Sequence, residues 1–160
     1  MPPIHHVREA APKLQDMGEE SVYRRAGWLL GLSAPIRSEV DLLERLEKGL
    51  SANAVRSLRA RLGLSDEEVY LLVAPRRTLT RREAEGQPLT AEEADRVVRI
   101  ARVAARALQV FGARPDYAQE WLRTPQRALG DRAPVRLLGR ESGARAVEEL
   151  LLALEHGFLA

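Results

Sequence analysis

The residues best equipped for chemistry in this chain lie on one short stretch, Arg76, Arg77, Thr78, Thr80, Arg81 and Arg82. Arginine presents a planar fork of N–H donors that fits a phosphate or the major-groove edge of guanine, and threonine hydroxyls add shorter donors beside it. Between positions 76 and 82 no acidic residue neutralises the arginines. A local cationic patch of this kind suits contact with DNA better than a bulk polyelectrolyte role, and a solvated arginine face on an ordinary helix is the alternative. Such donors can discriminate a duplex only if a rigid element holds them, so the flanking sequence must supply that support.

It does. Ser65 and Glu68 have capping-box spacing and start a short helix in which Val69, Leu72 and Val73 recur on one side. Pro75 cannot continue that helix but suits the first turn of another, expected over about Arg76–Glu85, where Leu79 is the one strong apolar anchor. A buried support helix, a tight turn and a polar second helix together read as a helix-turn-helix.

Other chemistries lack their residues. Cysteine is absent, which removes disulfides, thiolate ligands and a thiol nucleophile. Of the three histidines, His5 and His6 stand together without a third ligand nearby, and His156 falls in the last helical turn, where a cation complements the helix dipole. Neither a glycine-rich phosphate loop, nor a serine elbow, nor an HExxH pattern occurs. The reading is of a chain that is not an enzyme and holds no metal and no cofactor.

The composition predicts an all-α fold. Hydrophobic residues make up 45% of the 160 positions but aromatics only 4%, so the core must be built from Leu, Val and Ala, a composition that favours helix over sheet. Net charge is +2, and all the basic residues except Lys13 and Lys48 are arginine. No apolar run reaches membrane-spanning length and no signal-peptide core opens the chain, so a soluble, cytoplasmic protein is expected.

Punctuation divides the chain into three parts: an arm at 1–18, a helix-turn-helix domain at 19–86, and a second helical domain at 87–160. In the first domain, helices are expected from Ser21 to Leu30, from Ser38 with a stripe of Val40, Leu43 and Leu46, and from a Ser51 cap with Ala54, Val55, Leu58 and Leu62 inward. Gly86-Gln-Pro88 marks the boundary. Thr90 and Glu93 form a second capping box and open the longest helix, to about Phe111, with Ala94, Val97, Val98, Ala101, Ala104, Ala105, Leu108 and Phe111 inward. Its Arg96, Arg99, Arg102 and Arg106 lie off that stripe and read as a solvated face. Short pieces at 117–123, 125–129 and 134–138 precede a last helix from Ser142, with Val147, Leu150, Leu151, Leu154 and Phe158 as its stripe.

From about Asp41 onward the chain resembles antitoxins of the Xre/MbcA/ParS family. The first part of the resemblance runs from Leu50-Ser-Ala-Asn-Ala-Val55 through Leu62-Gly-Leu-Ser65 to the arginine stretch. The second is an ordered framework of Trp121-Leu122, Pro125, Leu129-Gly130, Pro134, Leu137-Leu138, Gly143, Val147, Leu151 and Gly157, spaced as in the family's toxin-binding domain. Gln126, Asp131, Arg140 and the turn Val73-Ala74-Pro75 depart from the family's usual residues.

The resemblance implies the antitoxin of a type II toxin–antitoxin pair, most readily one whose toxin is a RES-domain enzyme that degrades NAD⁺. Neutralisation would proceed by binding and occluding the toxin's active site. Trp121 is expected to plug the core between the long helix and the last one. Toxin recognition is expected instead from exposed groups on and before the last helix: Arg140, Glu141, Arg145, Glu149 and His156. A homodimer on its own operator DNA would autoregulate the operon and assemble with toxin into a larger complex. The long helix's small-residue face and the Trp28 region are the dimer surfaces expected from sequence. A stand-alone helix-turn-helix regulator with a C-terminal oligomerisation domain is the alternative reading.

Overall fold

The computed structural model describes residues 22–157; the arm at 1–18 with His5 and His6, the expected helix start at Ser21, and Phe158 lie outside the described residues. Among the described residues the fold is all-α, with isolated bridges but no strand. Helix α1 spans Val22–Leu29, α2 Glu39–Glu47, α3 Asn53–Leu62, α4 Asp66–Leu72, α5 Arg76–Glu85 and α6 Ala91–Val110. Helix α7 follows at Pro115–Arg123, then 3-10 segments at Arg127–Leu129 and Pro134–Leu137, and finally α8 at Glu141–Glu155.

Local signals set most boundaries. Ser65 and Thr90 each accept the N–H of the residue three along, while Glu68 and Glu93 reach back to the cap N–H, so both capping boxes form. Ser38 caps α2 through the N–H of Asp41. Gly63 and Gly86 close α3 and α5 in left-handed conformation, φ 67° and 62°, a region that penalises a Cβ. Ser51 is not the cap of α3; Ala52 holds that position without a side-chain bond. The strand-like pairing of Ser51 with Pro88, beside a Leu89 N–H to Leu50 carbonyl bond of 2.8 Å, takes Ser51 for another purpose.

Helix α6 is the spine. It is packed by α1 and α3 on one hand and by α7 and α8 on the other. Burial therefore spreads beyond the stripe read from sequence to Ile100, Val103 and Ala107, all fully buried. The small residues Ala101, Ala104 and Ala105 are also fully enclosed within the chain. That face is consumed by the monomer's own core and is not the dimer surface expected from sequence.

Two further expectations change. On α2 the buried anchor is Leu42, whereas Val40 and Leu43 are 61% and 53% exposed, because the helix meets α6 through a different face than its apolar spacing suggested. Trp121 is only partly buried and lies against Phe111 at the end of α6, ring centroids 5.8 Å apart. The plug at this level is its neighbour Leu122, with no exposed surface.

Candidate functional site

Helices α4 and α5 take the arrangement that the stretch 65–85 demands. Val69, Leu72 and Val73 are buried, and the turn through Ala74 brings Pro75 to the start of α5. On α5 only Leu79 is buried. Arg76, Arg77, Thr80 and Arg81 are exposed, with Arg77 and Arg81 one turn apart on the side opposite Leu79, and Thr78 is half-buried on the flank. The N-terminus of α5 lacks a side-chain cap and has no acid in its first turn. Helix α4, by contrast, carries Asp66, Glu67 and Glu68 there, and α6 carries Glu92 and Glu93. Arg76 and Arg77 thus sit at the positive end of the helix dipole, an arrangement that an external anion would relieve.

Arg82 departs from its neighbours. It turns inward and pairs with Glu93 of α6: Nη2 donates to one carboxylate oxygen at 2.9 Å, and Nε lies 2.6 Å from the other. Both side chains are largely buried, 13% and 8% exposed. Arg96 of α6 donates to the Val73 carbonyl in the turn between α4 and α5 at 3.0 Å. The spine therefore holds the helix-turn-helix at two points, its turn and the last turn of its second helix. In sequence Arg82 is indistinguishable from Arg81 except that it flanks Leu79 on the helical wheel.

Burial by itself pushes the Glu93 carboxyl up, but the bonds from Arg82 and from Thr90, with the charge of Arg82, outweigh it and hold the group below the usual carboxylate range. A carboxyl whose folded value lies below its unfolded value stabilises the fold fully above the unfolded value, about 4.3 for glutamate, and loses that contribution as pH falls through the folded value. Glu93→Gln is therefore expected to cost about 2 kcal/mol at neutral pH by leaving a desolvated guanidinium half-satisfied. The gap between variant and wild type should begin to narrow as pH falls below the unfolded value and close as it passes through the lower folded one. Urea unfolding at pH 7 and in acid measures both; a gap that persists unchanged in acid would contradict the pairing.

In the C-terminal half, α6 and α8 are joined by ion pairs. Arg99 Nε reaches Glu141 at 2.9 Å, Arg102 Nε reaches Glu148 at 3.0 Å, and Arg106 approaches Glu155 at 3.8 Å. The row expected to be solvated is thus an interhelix contact, although each exposed pair is worth only about 0.2–1 kcal/mol. Within α6, Glu92–Arg96 and Asp95–Arg99 also pair four positions apart, at 4.0 and 2.6 Å. Helix α7 is tied to the start of α4 by Arg123, which donates to the Gly63 carbonyl at 2.7 Å and to Glu68 at 2.9 Å.

The residues expected to meet a toxin are not gathered at one point. Arg140 is exposed at the N-cap of α8, Arg145 and Glu149 are exposed one turn apart, and His156 is exposed at the C-cap. Glu141 is exposed yet engaged with Arg99. Glu141, Arg145, Glu149 and His156 share one stripe of a helix about 22 Å long. Trp28 is half-buried, and Arg61 lies over its ring, 4.4 Å from the centroid, and donates to the Trp28 carbonyl. No group of His, Asp and Glu among the described residues could hold a metal ion, and no helix there is long and apolar enough to cross a membrane.

Residues 41–102 match the antitoxin Xre-like helix-turn-helix domain, and residues 106–157 match the antitoxin Xre/MbcA/ParS C-terminal toxin-binding domain. An Antitoxin Xre of Yersinia enterocolitica is 34% identical over 135 residues, covering 83% of this chain and 90% of that protein.

The chain belongs to the Xre/MbcA/ParS antitoxin family.

An Antitoxin Xre of Pseudomonas putida is 32% identical over 148 residues, 92% of this chain and 91% of its own. A Prs ADP-ribosylating antitoxin of a Sphingobium species is 27% identical over 133 residues, 77% and 83% of the two chains. This antitoxin thus carries a helix-turn-helix for DNA and a toxin-binding domain for its toxin. The first match ends on α6 and the second begins there, so the spine belongs structurally to both.

Proposed function

We propose that this antitoxin belongs to a type II system, acts in the cytoplasm and silences a RES-domain, NAD⁺-degrading toxin by covering its active site. Residues 87–160 form the toxin-binding unit and residues 19–86 the DNA-binding unit. A homodimer sets two α5 helices on a palindromic operator, as helix-turn-helix proteins do. Arg76, Arg77, Thr78, Thr80 and Arg81 face the DNA, and Arg82 holds α5 in place through Glu93. The observation that carries the toxin half of this reading is the match of residues 106–157 to a toxin-binding domain. The uncapped, arginine-bearing start of α5 supports the DNA half.

A second reading of the toxin follows from the Sphingobium relative, whose name refers to ADP-ribosylation. ADP-ribosyl transfer also consumes NAD⁺, so the two toxin chemistries share a substrate and differ in where the ADP-ribose goes. Affinity purification of the tagged antitoxin from its host, with mass spectrometry of what remains bound, tests both. A stoichiometric partner that destroys NAD⁺ until the antitoxin is added would support the RES reading. A partner that transfers the ADP-ribose to a protein would replace it. Self-association alone would favour the stand-alone regulator.

A further inference from the structure

Between the outer side of α4, the turn after α7 and the start of α8 lies an open groove of ≈ 700 Å³. Its floor is apolar, with Leu72, Leu129 and Leu137, while Leu71 stands 56% exposed at its wall. Its rim carries Arg132, Arg136 and Arg140, and no carboxylate lines it.

Outside this groove and the exposed face of α5, acids meet most arginines of α3, α6 and α7 in ion pairs. Arg136 and Arg140 make no ion pair among the described residues, and Arg132 spends its Nε on the Leu129 carbonyl. A concave surface lined by one sign of charge focuses its field outward and attracts the opposite sign. An exposed leucine beside such a rim offers contact area that gains stability only when covered.

We propose that this groove receives an acidic segment of the toxin, with carboxylates against Arg136 and Arg140 and an apolar side chain over Leu71. The inference rests on the antitoxin reading above and adds the place and chemistry of docking. It also has an unexpected consequence for the architecture. Leu71 belongs to the support helix of the helix-turn-helix, outside residues 106–157 that match the toxin-binding domain. The toxin would therefore rest partly on the DNA-binding unit.

The test replaces the chromosomal gene in its host with a deletion, with Leu71→Asp, with Leu71→Met and with Arg136→Glu. Leu71 and Arg136 are exposed, so both altered proteins should keep wild-type helicity and wild-type affinity for DNA upstream of the gene. The expected result is growth arrest in the deletion, Leu71→Asp and Arg136→Glu strains, with Leu71→Met protected. Binding of the co-purified toxin should weaken about tenfold or more in the two arrested variants. Arrest in the deletion alone would overturn the groove while leaving the antitoxin reading intact. Loss of operator affinity in Arg136→Glu with protection retained would assign the rim to DNA instead. A deletion strain that grows normally would remove the antitoxin reading and the groove's occupant together.

Discussion

Replacing Arg77 and Arg81 together with alanine is expected to weaken binding to the DNA upstream of the gene by about a hundredfold or more at physiological salt. Both side chains are exposed on the face of α5 opposite its buried Leu79. Because neither holds the fold together, melting should stay within a few degrees of wild type. The salt dependence is the sharper readout. Each arginine that neutralises a phosphate contributes about 0.9 to the slope of log affinity against log salt, so the double variant should lose up to about two from it. A guanine contact in place of a phosphate contact would lose affinity for one sequence and leave the slope nearly unchanged. Arg82→Ala makes the contrast: it should destabilise the protein through Glu93 and weaken DNA binding only indirectly. Unchanged affinity and slope in the double variant would remove α5 as the recognition helix.

Gly143→Ala should be the most damaging single methyl group in the C-terminal half. A Cβ at Gly143 would fall inside the contact distance of the Leu137 carbonyl oxygen and 3.0 Å from both the carbonyl carbon and the Cβ of Leu137. These are atoms of the 3-10 segment at 134–137, which packs on α4, α7 and α8, so they cannot retreat as a flexible side-chain tip would. The expected loss is about 3 kcal/mol, with toxin binding lost in parallel. Gly86→Ala is the matched control. Nothing lies within 4 Å of its Cβ position, so only the left-handed φ of 62° resists substitution, for about 1–2 kcal/mol. Urea midpoints for the two variants measure the difference; equal midpoints would show that the segment ahead of α8 yields to the added methyl.

The groove and α5 share their mountings. Arg96 and Glu93 hold the turn and α5 to the spine, Arg123 ties α7 to the cap of α4, and Arg99 and Arg102 clasp α8. A toxin seated against Leu71 would press on the helix that supports α5. Strength of coupling between the two sites is then a matter of how rigidly α4 is held through Arg96 and Arg123.

What could be read from the residues alone is whatever is decided within a few positions along the chain. Both capping boxes, the helix break at Gly86 and the lone anchor of α5 involve partners no more than about one helical turn apart, so their types and spacing were sufficient. The family framework was legible for the same reason, as turns and close approaches need particular residues at particular intervals. Choices between distant partners were not legible. Arg81 and Arg82 look alike in sequence, yet one faces solvent and the other finds a carboxylate eleven positions away across a helix junction. The arginines of α6 meet acids of α8 more than forty positions on. The apolar spacing of α2 named Val40 and Leu43, but the direction of approach to α6 buried Leu42. A side chain's partner is set by which helices become neighbours, and that depends on packing the whole core around α6.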